Sequence, residues 1–552
     1  MIGVTRFGDA RHRHFPLPQG IIKLAMAALA PNPNLFRAAL QNGEFVHTAE
    51  LVLGRDHTAV EAETFIKDAA QQPDGIKVIS LTDLPGGNPA LPPEAFVASV
   101  RELGLTPIAH LSGKDGNRAF LEGRLHALAR LGVENILALT GDAQKEAFAG
   151  TAKPVYDLDS VLILRLIHAL RAGLEYNLGP RIIRTSPFDF FPGAVVNPFK
   201  AREPDFLMQL YKLRLKIAAG AQYIITQLGF NLRKLYELKQ YMLREGLGHI
   251  PVLANVYVPT AKVAQLMQAG EVAGCVVADE LIRRLETEKK PQRLERAALM
   301  VAAARDLGFA GAHIGGFGLT HRDFMTILER ASAVGKDWRK RMDELVFPHP
   351  NECYLWPQSA DGLSDPAADY QFTRTRPRPT LAQRLSAAVH RHFIKDGTFT
   401  ARFFAPRLKN DHHRFWQALL APSVLYRKAT LGCESCGDCI QDHLNYAGCT
   451  MHACYKELRN GPCGGSRVDG SCEARAGQTC IWNQIYLAAL ALGDDPAKFA
   501  RTLVPPRDWS LNRTNALVNR FAGRDNLPKR IDLGAQAEKH GLARAADREG
   551  TA

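Results

Sequence analysis

Asn135-Ile136-Leu137-Ala138-Leu139-Thr140-Gly141-Asp142 is an apolar run closed by a hydroxyl, a glycine and a carboxylate. A run this short, followed by a polar turn, suits a strand buried on both faces and feeding a crossover helix of a parallel sheet. The same succession of apolar run, polar or glycine-bearing loop and longer helical stretch recurs from Phe45 to about Phe317. Strands are expected at 45–52, 76–84, 107–111, 135–139, 181–184, 223–227, 252–258 and 312–314. Eight such units predict an α/β TIM (β/α)8 barrel. An open doubly wound sheet fits less well, because no Gly-rich dinucleotide fingerprint follows the first strand.

The C-terminal strand ends of such a barrel line its active site. Here they read Thr48-Ala49-Glu50, Ser80-Leu81-Thr82-Asp83, His110, Thr140-Gly141-Asp142, Thr226-Gln227 and His313. Any one of these groups could simply cap a following helix. Together they point to chemistry at this face.

The expected organisation is an N-terminal extension (1–40), the barrel (41–335), a connector (336–425), a small cysteine-rich metal-binding domain (426–515) and a polar tail (516–552). The connector contains Arg374-Thr375-Arg376-Pro377-Arg378-Pro379, and the tail is expected to be partly disordered. Of the 552 residues, 46% are hydrophobic and 23% charged, the balance of a multidomain enzyme. The net charge of +13 invites a nucleic-acid reading. The excess reads as dispersed, however, with Arg283, Arg284, Lys289, Lys290 and Arg293 interleaved with Glu286, Glu288 and Glu295. Small anionic ligands are expected, and neither nucleic acid nor membrane. The apolar run Gly20 to Ala30 is too short to span a bilayer and lacks a cleavage site, which predicts a cytoplasmic protein.

Eight of the ten cysteines, Cys433, Cys436, Cys439, Cys449, Cys454, Cys463, Cys472 and Cys480, fall in one 48-residue window. Disulfides suit secreted scaffolds, so metal is the expectation. Cys433-x2-Cys436-x2-Cys439 curls three thiolates around one centre, as ferredoxin runs do, whereas structural zinc more often takes separated pairs. Eight thiolates allow two four-cysteine sites. Two iron-sulfur clusters, one cluster plus zinc, or zinc alone with His452 substituting for a thiolate all remain open. Asn460-Gly461-Pro462-Cys463-Gly464-Gly465 permits positive φ and close approach of amides to a sulfur. Trp482 reads as core packing.

The blocks Ile108-Ala109-His110-Leu111, Gly132 through Asp142, and Lys216-Ile217-Ala218-Ala219-Gly220-Ala221 leading to Ile225-Thr226-Gln227 resemble the methylenetetrahydrofolate reductase family across Glu44 to Phe317. The cysteine window resembles the C-terminal domain that accompanies some of these reductases. The resemblance implies a flavin, FAD or FMN, that passes hydride to or from the methylene bridge of a tetrahydrofolate substrate. It implies Glu50 as general acid, Asp142 as the aspartate that contacts the pterin and tunes the flavin, and Gln227 as a folate ligand. Thr82, His110, Tyr156 and Lys216 match flavin contacts. Burial is expected to raise the pKa of Glu50 toward its task. NADH, NADPH or a redox partner protein could supply electrons, and a homo-oligomer is compatible.

Leu51-Val52-Leu53-Gly54-Arg55 and Phe191-Pro192-Gly193-Ala194-Val195-Val196-Asn197-Pro198 depart from the family's usual sequence, so the pocket is shaped differently there. The rival readings are a folate-dependent methyltransferase and a non-catalytic iron-sulfur electron-transfer subunit.

Overall fold

A computed structural model describes residues 32–372, 376–408 and 414–533. The apolar run Gly20 to Ala30, Arg374-Thr375 and the last part of the expected tail lie outside the described residues. No helix among the described residues is long and apolar enough to cross a membrane.

Eight parallel strands close into a barrel: β1 (Val46–Leu51), β2 (Val78–Leu81), β3 (Thr106–Ser112), β4 (Asn135–Leu139), β5 (Phe191–Val196), β6 (Tyr223–Thr226), β7 (Val252–Tyr257) and β8 (Gly311–Gly315). Every residue of β2, β3 and β8 is buried, as strands must be when helices cover one face and barrel contents the other. The N-terminal mouth is stoppered by the helix Leu35–Gln41, whose Asn34 cap accepts from Arg37 N at 3.0 Å. Its Phe36 ring meets Tyr223 edge-on, with centroids 4.9 Å apart, inside a cluster with Val46, Ile108 and Leu253.

The expected fifth strand needs correction. Residues Arg181–Arg184 pair antiparallel with Glu175–Leu178 in a largely exposed hairpin turned at Gly179. The barrel strand is instead Phe191–Val196, in the stretch that departs from the family sequence. Pro192 and Gly193 disguise it as a loop. The Pro192 carbonyl accepts from Gln222 N at 2.8 Å, and a Cβ on residue 193 would lie 2.2 Å from the Tyr223 ring. Glycine is what lets that ring lie beneath the strand.

The connector also differs from expectation. Trp338 and Trp356 are fully buried against the barrel. Glu237 holds this wrap by accepting from Leu355 N at 2.9 Å, Trp356 N at 3.1 Å and Ser364 Oγ at 2.7 Å. Aromatic anchors spaced through Pro-rich sequence give no periodicity from which to read such packing. Short helices follow at Leu381–Val389, Phe399–Leu408, Arg414–Leu419 and Ala421–Leu431.

In the cysteine module the helix Ile481–Ala491 packs on Glu203–Ala218 of the barrel. Trp482 is buried there, 5.1 Å from the Phe499 ring. Residues 516–533, expected to begin the tail, are folded onto this module. Ile531–Asp532 pairs antiparallel with Thr502–Leu503, and Asp438 Oδ1 accepts from Asn526 N and Nδ2 at 2.8 and 2.7 Å.

Candidate functional site

Parallel register puts Thr48 of β1 beside His313 of β8, and His313 beside Asn255 of β7, in one interior layer. His313 bridges two neighbours: Nδ1 lies 2.6 Å from Thr48 Oγ1 and Nε2 lies 2.9 Å from Glu50 Oε2. On the adjacent strands His110 Nε2 lies 2.8 Å from Ser80 Oγ. One ligand atom from each of Glu50, His110 and His313 falls within 4.8 Å of the others. Burial pushes Glu50 up, but the hydrogen bond and charge of His313, with the charge of His110, outweigh it and leave the carboxyl below its ordinary pKa. This reverses the expected upward shift. Burial pushes His110 down to about 4, so its ring is neutral at pH 7. Asn255 Oδ1 is buried in this layer and accepts no hydrogen bond among the described residues.

A second group gathers at the end of β4. Asp142 Oδ2 accepts from Gly86 N at 3.1 Å, and its backbone carbonyl accepts from the Tyr156 hydroxyl. The cysteine module reaches this point. Lys456 Nζ donates to Gly141 O at 2.6 Å and pairs with Glu473, whose Oε1 accepts from Ala143 N at 3.0 Å. Burial and the Glu473 charge push the Asp142 carboxyl up, partly offset by Lys456.

The remaining expected residues are held by their own surroundings. Thr82 Oγ1 accepts from Leu53 N at 2.8 Å and donates to Leu51 O at 3.2 Å, clasping the extension of β1. Gln227 Oε1 accepts from Leu228 N at 3.0 Å. Lys216 donates to Val195 O, and burial pushes it down to about 7. The structure thus brings Glu50 together with His110, and Asp142 with Tyr156, while Thr82, Gln227 and Lys216 stand apart in their contacts. Sequence reasoning noticed His313 only as a strand end and missed its bond to Glu50. It had no signal for Lys456 or Glu473, which arrive from a module more than 300 residues later in the chain.

The eight cysteines fall into two non-interleaved sets. Cys433, Cys436, Cys439 and Cys449 line one small cavity; Cys454, Cys463, Cys472 and Cys480 line another. All ten cysteines of the chain are free thiols. Gly437 takes φ +76° where a Cβ would strike Leu511 O, and Gly465 N donates to Cys463 Sγ at 3.3 Å, as the glycine-rich sequence suggests. Among the described residues no three of these sulfurs come mutually within 4.8 Å. Cys463 Sγ is 3.8 Å from Glu473 Oε2, so the second set adjoins the Asp142 group.

The family described as Methylenetetrahydrofolate reductase matches residues 35–309, and the one described as Methylene-tetrahydrofolate reductase C terminal matches residues 418–510. No curated protein matches the chain. Among solved structures, an uncharacterized protein from Clostridium thermocellum that binds two copies of 5-methyl-5,6,7,8-tetrahydrofolic acid is similar at 14% identity. That match covers 55% of this chain and 99% of its own, with a TM-score of 0.38. A putative deoxyribose-phosphate aldolase from Toxoplasma gondii ME49 is similar at 13% identity, covering 54% of this chain and 98% of its own, with a TM-score of 0.27. Likenesses this slight carry nothing about function.

Proposed function

Since the chain belongs to the methylenetetrahydrofolate reductase family through both its barrel and its cysteine-rich module, we propose that it is a flavin-dependent oxidoreductase interconverting 5,10-methylenetetrahydrofolate and 5-methyltetrahydrofolate. The observation that carries this reading is the Thr48–His313–Glu50 chain of hydrogen bonds in the barrel mouth. Opening the methylene-bridged ring requires a proton on the departing nitrogen, and a donor held within hydrogen-bond reach is what that step needs. His313 holds the Glu50 carboxyl below its ordinary pKa through the contact between Nε2 and Oε2, so the two side chains act together at this mouth. Thr48 fixes the ring so that Nε2 faces the carboxylate.

The donor set fits an organic ligand at this face. The orphaned Asn255 carbonyl oxygen and the half-buried carboxyls of Glu50 and Asp142 offer unspent hydrogen-bonding capacity. Thr82, His110, Asp142, Tyr156 and Lys216 are the residues that would hold the flavin, with Gln227 and Asp142 toward the folate. A bound flavin supplies the hydride chemistry. Asp142, beside Lys456 and Glu473, places fixed charge near a ring that becomes cationic.

We further infer one iron-sulfur cluster in each cysteine set. Four thiolates on a single zinc ion at Zn–S of about 2.3 Å would stand only about 3.8 Å apart, whereas no three sulfurs of either set stand mutually within 4.8 Å. A multi-iron core spreads its ligands further. Of the two sets, Cys454, Cys463, Cys472 and Cys480 adjoin the barrel and would be the one that exchanges electrons with it.

The test is anaerobic purification with flavin absorbance, iron and sulfide quantification, and an assay of methyltetrahydrofolate oxidation in the native protein and Glu50→Gln. Bound flavin and loss of activity in the variant are expected. Protein without flavin, or a variant of full activity, would sink the proposed reaction, and flavin content also separates it from methyl transfer, which needs none.

A further inference from the structure

Between the barrel and the cysteine module in sequence, residues 376–408 and 414–431 make a layer of short helices, mostly outside both family matches. This layer holds ten Lys and Arg against one Asp and no Glu, so much of the chain's excess of +13 is concentrated here rather than dispersed as its sequence first reads. Eight of the ten are Arg. Arg384, Arg391 and Arg402 make no ion pair among the described residues.

The helices pack Ala401, Leu408, Phe404, Trp416 and Leu420 against Val518 and Phe521, yet turn other large apolar side chains outward. Leu381, Leu385 and Val389 form an exposed i, i+4 stripe, Phe399 and Phe403 a second, and Phe415 and Leu419 a third. An apolar helical stripe normally faces a core, so three pointing away from one mark an interface. Arginine and aromatics enriched, with Glu and Asp scarce, is the composition of a protein–protein contact. A second copy of this chain would bring like charge against like charge. Acidic protein is the complementary partner.

The position of the layer narrows the partner's chemistry. Arg427 and Leu431 line the cavity of the first cysteine set, and Val389, Phe393 and Phe404 line an adjoining cavity of about 290 Å³ that reaches Cys439. We propose that residues 376–408 and 414–431 are the docking face for an acidic electron-carrier protein that reduces the cluster of Cys433, Cys436, Cys439 and Cys449. This rests on the iron-sulfur reading above. The step is a single-electron transfer: the reduced carrier is oxidised by one electron, the cluster core is reduced by one, and no bond or proton moves. Opposite charges across the face steer the encounter, so the rate falls as salt screens them.

The experiment mixes full-length, anaerobically purified protein with a reduced acidic bacterial ferredoxin and follows cluster bleaching by stopped flow at low and high salt. Arg384→Glu/Arg391→Glu/Arg402→Glu is expected to slow carrier-driven reduction at least tenfold while reduction by dithionite is unchanged. Phe399→Ser/Phe415→Ser should slow it without altering the salt dependence. Equal carrier rates in the native and charge-reversed proteins overturn the proposal, as does binding to phosphatidylglycerol vesicles or duplex DNA with the ferredoxin ignored. Protein that lacks iron yet binds the ferredoxin in a salt-dependent way overturns the iron-sulfur reading and the electron step, and upholds the face. Iron present with an indifferent triple variant overturns the face alone.

Discussion

Lys456 donates its ammonium to the carbonyl of Gly141 at 2.6 Å, seating the cysteine module on the loop that carries Asp142. Lys456 and Glu473 are both buried, with side chains 3% and 5% exposed. Removing one member of such a pair leaves the other charge uncompensated, a loss of about 3–5 kcal/mol. Lys456→Met should show a loss of that size in denaturant unfolding, and Lys456→Met/Glu473→Met should recover much of it. A single variant as stable as the native chain would show that the pair does not hold the seam.

The Glu50–His313 contact gives a kinetic expectation. Glu50→Gln should lower kcat for methyltetrahydrofolate oxidation by about 10²–10⁴-fold, the range for losing a positioned acid or base. His313→Gln removes the bond and charge that hold Glu50 down, so the limb of the pH profile belonging to Glu50 should move to higher pH. A limb that stays in place in His313→Gln would detach the imidazole from the proton transfer.

His110 sets an acid limit on stability. Its folded pKa of about 4 lies below the ordinary 6.5, so the unfolded chain binds the extra proton between those values. Stability from the neutral buried ring is therefore fully present above pH 6.5 and is lost as pH falls toward 4, by about 3 kcal/mol at most. Unfolding free energies measured from pH 7 to pH 4 should fall less steeply in His110→Asn than in the native protein.

The two cysteine sets predict separable metal loading. Cys433→Ser and Cys472→Ser strike different sets. Each should lower iron by about half, the share of one of two equal four-cysteine sites. Complete iron loss from either single variant would mean that the eight thiolates serve one shared centre.

Much of this arrangement is legible in sequence because it is local. Asn135–Leu139 is bounded correctly by its own apolar run, and Glu50, His110 and His313 stand at strand ends where parallel register must bring them to one mouth. The fifth strand was not legible. Pro192 and Gly193 are poor strand residues by propensity, and only the Tyr223 ring, thirty residues on, explains the glycine. Nor could the direction of the Glu50 shift be read, since it depends on a hydrogen bond to a residue 263 positions away. Lys456 and Glu473 are hidden for the same reason: nothing near them in sequence says which surface they meet.

That covering surface has a further consequence. The cysteine module touches the loops or helix starts after β3, β4 and β5, through Arg118, Gly141 and Asn197, and the C-terminal end of the helix Ala261–Gln268 after β7 at Ala269, and the wrap from 336 onward touches the loop after β6 at Asn231. Among the described residues, the loops after β8, β1 and β2 make no hydrogen bond to either. On that side, where Phe317 is 65% exposed beyond the strand that carries His313, the neighbouring strand β1 carries Glu50, so the covering module is tied to the barrel everywhere except beside its candidate acid.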